Sequence, residues 1–157
     1  MKARREHLCY TDGACKAAHD GAGGWGYHIR PPEGAPLEGY GRTANTLAKT
    51  MEYQAVAEAL AVLPEGARAT VYSDNHSLVE SLTRQLDAWR ANGFAKADPE
   101  IVESLRRIGA AIGEKQLAVR FQWVRGHAGN AGNERADELA AQGAREAKAE
   151  LGPRRKR

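Results

Sequence analysis

At 157 residues the chain is long enough for one domain with a proper core and too short for two ordinary ones. No apolar run approaches the roughly 18 residues of a membrane span, and the basic start, MKARREH, has no apolar segment after it, so a cytoplasmic protein without a secretory signal is expected. The net charge of +3 hides an asymmetry: with the seven basic residues of 1–5 and 154–157 set aside, 16 basic face 20 acidic side chains, a pattern that suits salt-dependent contact with a polyanion as well as plain solvation.

In chain order, HLCYTD (7–12) reads as a strand ending at Gly13. GAGGWG (21–26) reads as a Gly-rich turn feeding a second strand, WGYHIR, which stops at Pro31-Pro32. PLEGYGRT (36–43) returns as a third, antiparallel strand. From Lys49 to Leu63 the period is helical, with Val56, Ala59, Leu60 and Leu63 on one side, and Pro64-Glu65-Gly66 closes the helix. ATVYSD (69–74) is a strand, 76–92 and 99–112 are helices, LAVRFQWV (117–124) is the last strand and 131–149 the last helix. This order predicts an α/β fold: a five-stranded mixed sheet, three antiparallel then parallel strands, flanked by helices. Residues 1–6 are expected to form a basic extension, 7–149 the folded domain and 150–157 a basic, disordered tail. Cys9 and Cys15 match no zinc spacing and read as reduced thiols.

Four acids stand in unusual places. Strand alternation puts Asp12 with Leu8 and Tyr10, and Asp74 with Thr70 and Tyr72, each at the end of its strand, where sites form in sheets with parallel crossovers. Helical spacing aims Glu52 at the Val56–Ala59–Leu60–Leu63 stripe, and Asp137 lies ahead of Ala140, Ala141 and Ala144. Any one of them alone fits a capping or solvated role. Together, carboxylates converging beside a core repel and desolvate one another unless a cation sits among them. No Lys or Arg has an obvious claim to that place, and an all-oxygen donor set suits Mg²⁺ or Mn²⁺ rather than zinc.

The segments TDGAC (11–15), MEYQAVAEAL (51–60), YSDNHSLVESL (72–82) and WVRGHAGNAGNERADELA (123–140) closely resemble, in order and interval, those of the type 1 ribonuclease H family, over about residues 7 to 145. The resemblance implies a ribonuclease H-like fold and an endonuclease that hydrolyses the RNA strand of RNA–DNA hybrids and leaves 5′-phosphates. It implies that Asp12, Glu52, Asp74 and Asp137 are catalytic acids binding two Mg²⁺ ions, with Mn²⁺ compatible, roughly 4 Å apart across the scissile phosphate, and that Asp12 bridges both. His127 matches the family's loop histidine, which assists proton transfer or product release. Asn133 and Glu134 position that loop and the helix start. Trp89, Arg90 and Lys96, with Gly93 and Phe94, resemble the basic protrusion that grips the DNA strand. A monomer is expected, with the hybrid as partner, no membrane, and no protein partner indicated.

The chain also departs from the family. Ala48 and Lys49 occupy the places of an Asn pair, one of which reads the RNA 2′-hydroxyl, and the loop before them is about three residues longer by the pairing of these motifs. Asn45 or Thr46 is the expected substitute, with Asn45 favoured and Lys49 beside it; otherwise the contact falls to backbone groups near Gly13 and Cys15. Ser77 and Gln85 stand where aromatic residues often line the DNA channel. Two other readings are a related nuclease acting on a different nucleic acid and a non-catalytic nucleic-acid-binding module; the second would be expected to have lost one of the four acids, and none is missing.

Overall fold

The computed structural model describes residues 5–16, 21–126 and 129–151. Three long strands, β1 (Glu6–Cys15), β2 (Gly21–Arg30) and β3 (Leu37–Thr46), precede α1 (Ala48–Ala61). Then come β4 (Arg68–Ser73), α2 (His76–Arg84), α3 (Leu86–Ala91), a 3-10 turn at Pro99–Ile101, α4 (Val102–Glu114), β5 (Ala118–Trp123) and α5 (Ala131–Leu151). The sheet runs β3-β2-β1-β4-β5. β1–β2 and β2–β3 pair antiparallel, β1–β4 and β4–β5 parallel, the mixed sheet expected. β1 is therefore where the sheet changes direction.

The core lies on one face of this sheet. Cys9, Ile29 and Val71 of the strands meet Val56 and Leu60 of α1, Leu78 and Leu82 of α2, and Leu105 and Ile108 of α4. α1 is sandwiched between the sheet and α4, so it is buried nearly all round, from Met51 to Leu60, and not along a single stripe as its period suggested. α5 covers the opposite face, over β1, β2 and β3.

Other expectations shift. GAGGWG is not a turn but the first half of β2. The reason is α5: a Cβ on Gly24 would come within 2.8 Å of the Gly143 carbonyl carbon and closer still to Ala140 and Ala144 backbone atoms. Gly24 is thus needed for close approach, not for a bend. β1 starts at Glu6 rather than His7 and runs through Gly13 to Cys15, and α5 continues to Leu151. The single helix expected over 76–92 is divided at Gln85, whose φ −114°, ψ −15° leaves helical geometry although the backbone bond from Trp89 N–H to Gln85 O is kept at 2.8 Å. Asp98 caps the 3-10 turn, accepting from Glu100 N–H at 3.0 Å, before α4 begins. Neither cysteine is in a disulfide, and among the described residues no helix is long and apolar enough to cross a membrane.

Candidate active site

Asp12, on β1, and Asp74, the residue after β4, stand just beyond Tyr10 and Tyr72, where the parallel pairing of these neighbouring strands ends. Glu52, in the second turn of α1, reaches them from the core side. One carboxylate oxygen from each of Asp12, Glu52 and Asp74 lies within 4.8 Å of the others. Asp137, half-buried in the second turn of α5, hydrogen-bonds Asp12 from the other face. The small residues around it, Ala136, Ala140 and Ala144, are fully buried. They serve the contact with β2, Ala140 and Ala144 against Gly24 and Ala136 and Ala140 against Gly26, the strand partner of Asp12, and that close contact carries Asp137 up to Asp12.

The electrostatics are those of crowded like charges. Burial first, and then the hydrogen bond and charge of Glu52, push the Asp12 carboxyl up to about 11, with Asp137 and Asp74 adding to the rise. Burial raises Glu52 as well, while hydrogen bonds from Asp12 and the Gly13 N–H pull it back. Asp12 therefore holds a proton and donates it to Glu52 when no cation is near. The Gly13 N–H also donates to Asp12 Oδ1 at 3.0 Å, so one backbone group aligns two carboxylates. Such an arrangement is costly without a cation and matches a hard divalent one.

Around the acids lies a cleft of about 490 Å³, lined by Gly13, Ala48, Lys49, Asn75 and Ser77 among others. Lys49 Nζ is 2.7 Å from Asp98 Oδ2, so the nearest lining cation is held by a carboxylate outside the cluster. Asn75 went unnoticed in the sequence. It caps α2, accepting from Leu78 N–H at 3.0 Å, and its side chain hydrogen-bonds Glu52. The Ser-Asp-Asn run before an apolar helical period is the signal that could have revealed it. Trp123, on β5, donates its indole N–H to the Asp74 carbonyl at 3.2 Å.

Several sequence candidates lie elsewhere. Asn45 is not in a loop: it belongs to β3, is exposed, and alternates with Thr46, which is buried on the α1 side with its methyl toward Gly23. Strand alternation turns Asn45 away from that side, and it does not line the cleft. Cys15 Sγ donates to Thr46 O at 3.3 Å and stays at the strand end. Trp89 packs against the core, Arg90 lies over Gly109 and Gly113 of α4, and Lys96 is exposed; none of the three reaches the acids' cleft. His127 falls outside the described residues. Gly126, just before it, sits so close to the cluster that a Cβ there would be 2.9 Å from Asp74 Oδ2.

A mixed sheet of this order, with acids gathered at the ends of its central parallel strands, defines a metal-dependent nuclease of the ribonuclease H-like class. The RNase H family model matches residues 4–145, and the chain belongs to the ribonuclease H family. The ribonuclease H of Methylorubrum extorquens is 39% identical over 142 residues, which is 89% of this chain but only 60% of that protein. That of Polaromonas naphthalenivorans is 38% identical over 139 residues, covering 87% of this chain and 85% of the relative. Among solved structures, LC9-RNase H1, a type 1 RNase H with the type 2 active-site motif, superposes with a TM-score of 0.75 at 25% identity over 91% of this chain and 74% of its own. The chain is thus an enzyme of the ribonuclease H class, a family that depends on metal.

Proposed function

We propose that the chain cuts the RNA strand of RNA–DNA hybrids endonucleolytically, leaving 5′-phosphates, with Asp12, Glu52, Asp74 and Asp137 holding two Mg²⁺ ions. The observation that carries this reading is the set of three carboxylate oxygens within 4.8 Å, one of their acids hydrogen-bonded to Asp137, in a chain matched by the family model. The donor chemistry fits: every side-chain ligand is a carboxylate, and Asp12 is central, touching both Glu52 and Asp137. Mn²⁺ suits the same oxygens. Bound metal would lower the pKa of the attacking water and offset charge on the leaving 3′-oxygen.

The chain's own groups do the rest. The Gly13 N–H keeps Asp12 and Glu52 oriented, and Asn75 holds Glu52 from beyond. His127, the next residue in sequence after Gly126, is the group of this loop whose chemistry suits moving a proton during turnover. Lys49 reaches a substrate phosphate by leaving Asp98, a solvent-screened surface pair that is easily exchanged. Ala48 has no polar group for a 2′-hydroxyl, so the RNA strand is read by the backbone near Gly13 and by the shape of the shallow minor groove. Trp89, Arg90 and Lys96 serve as the grip on the DNA strand, outside the cleft. We place the enzyme in the cytoplasm, in keeping with two cysteines that form no disulfide, and as a monomer.

The deciding experiment is cleavage of an end-labelled RNA–DNA hybrid beside matched DNA and RNA duplexes, with Mg²⁺, with Mn²⁺ and with chelator. Cleavage confined to the RNA of the hybrid and abolished by chelator is expected. Absence of hybrid cleavage with either metal, or equal cutting of duplex DNA, would overturn the reading.

A further inference from the structure

At the opposite end of the sheet, β1, β4 and β5 begin around a hollow of about 600 Å³ lined by Arg5, Glu6, Arg68 and Arg120, with Ala69, Ala118 and Val119 between them. Strand pairing assembles the cluster. Glu6 is opposite Arg68, Thr70 opposite Arg120 and Leu8 opposite both Thr70 and Arg30, so these side chains share one face. It is the face that α5 covers over β1, β2 and β3. Beyond the helix, Arg68 and Arg120 are exposed, as is Arg5 at the start of β1. Arg30 adds a fourth guanidinium, 5.7 Å from the centre of the Tyr10 ring.

Of the eight other described arginines, four, Arg42, Arg84, Arg107 and Arg135, each sit within 4.0 Å of a carboxylate. Among the described residues, none of the four on this face makes an ion pair. Glu6 is the acid in their midst, and it accepts from the Thr70 hydroxyl at 2.9 Å. The Thr70 oxygen in turn accepts from Arg120 Nε, also at 2.9 Å. That leaves the outer edge of the Arg120 guanidinium open, and it stands beside Arg68 on the adjacent strand. Guanidinium forks of this kind match phosphate oxygens. The aliphatic lining of the hollow is limited to Ala69, Ala118 and Val119, little apolar surface for the aromatic or large apolar anchor around which protein interfaces form.

Resting on the nuclease reading, we propose that this four-arginine face is a second nucleic-acid contact, binding the phosphate backbone of a flanking stretch of the substrate. Six residues of strand separate Glu6 from Asp12 and Arg68 from Asp74, about 20 Å at the rise of a β-strand. The contact therefore falls on the order of six base pairs or more from the bond being cut. In sequence, Lys2 and Arg4 stand immediately before Arg5 and add to the positive charge of this end of the chain. Between the two basic ends the chain is net acidic, so beyond the cleft and the grip of Trp89, Arg90 and Lys96 a long polyanion gains little elsewhere.

The test uses the double variant Arg68→Ala/Arg120→Ala and hybrids of two lengths, about 8 and about 40 base pairs. Binding is measured by anisotropy across a salt series in the Asp12→Asn background, and cleavage is measured in the otherwise wild-type chain. On the long hybrid, the double variant should bind about tenfold more weakly near 0.1 M salt, and its log–log salt slope should shrink by about 1.8, or 0.9 for each phosphate no longer neutralised. Cleavage of the short hybrid should be unchanged, and Arg68→Lys/Arg120→Lys should restore the slope. An unchanged slope on the long hybrid would overturn the proposal. So would equal losses on both lengths, or weakened binding of oligoglutamate with hybrid binding intact, which would mark a protein partner. If the wild type cleaves neither hybrid, the nuclease reading fails instead, and the binding comparison still judges the arginine face.

Discussion

The two ends of β1 and β4 carry opposite charge, and each end gathers groups that repel one another. At the C-terminal end, Asp12, Glu52 and Asp74 converge in a cleft and Asp12 keeps a proton far above its ordinary range. At the N-terminal end, the exposed Arg5, Arg68 and Arg120 surround a hollow with a single acid among them. The difference lies in burial. Buried acids must be neutralised by a proton or a cation, which makes the first end selective for a bound ion. Exposed guanidiniums are already solvated and bind weakly, additively and in proportion to salt. Chemistry belongs to the end where charge is expensive, and adhesion to the end where it is cheap.

The largest effect should come from breaking the acid end. Asp12→Asn should lower hybrid cleavage by about 10³-fold or more, several kcal/mol of transition-state stabilisation, with the fold intact by circular dichroism. Cleavage at the wild-type rate would remove Asp12 from the site. His127→Ala should cost about 10²-fold or less, the usual range for one acid–base group. Magnesium affinity, read by calorimetry, should scarcely change; a large drop there would make His127 a ligand instead.

Stability sharpens the contrast. Gly24→Ala should cost about 1–3 kcal/mol in urea unfolding, because the new methyl meets α5 backbone, and should lower activity by moving Asp137. Normal stability and activity would show that α5 can yield. Without metal, Asp12 contributes stability that is fully present below its unfolded pKa near 4 and is lost as pH rises toward about 11. Melting in EDTA should thus fall from pH 5 to pH 9, by on the order of 1 kcal/mol per pH unit at most. Magnesium should reverse the trend, and Asp12→Asn should flatten it. A flat wild-type profile would mean that the acids are not coupled.

The smallest effect belongs to the edge strand β3. Glu38 accepts two bonds from Arg135, at 2.9 and 3.0 Å, and one His28 nitrogen is 2.7 Å away. Arg135, and then His28, hold its carboxyl below the usual range, so this stability is present above pH 4–5 and is lost as pH falls. Glu38→Gln should cost about 1 kcal/mol at pH 7 and less at pH 3, with turnover nearly unchanged. A large fall in turnover would tie this clasp to Asp137, two residues beyond Arg135.

Much of the fold was visible in the sequence because strand and helix periods differ so plainly there. The gathering of Asp12, Glu52 and Asp74 follows from alternation and helical spacing. What escaped depended on contacts between distant segments. Glycine marks a turn and a close approach alike, so GAGGWG could not be told from a bend without α5 opposite it. α1 reads as one-sided because its alanines are ambiguous, and only α4 behind it buries the rest. Asn45 reads as a loop residue because the glycines of β3 suggest an early end to the strand. The arginine face was invisible for a different reason: positions 5, 30, 68 and 120 meet only through sheet register.

The contact between α5 and β2 has one more consequence. Six residues separate Asp137 from Gly143, about 9 Å along the axis at 1.5 Å per residue, and α5 is a single uninterrupted helix over that span. It acts as a stiff beam resting on a bare strand, with Gly26 meeting it beside the carboxylate, between Ala136 and Ala140, and the Gly24 support farther along. Raising the support by the thickness of one methyl group would tilt the beam and displace the carboxylate by roughly a fraction of an ångström to an ångström, enough to detune an ion site. Residues with no chemistry of their own, Gly24 and Gly143, would then rank with the acids in a scan for impaired activity.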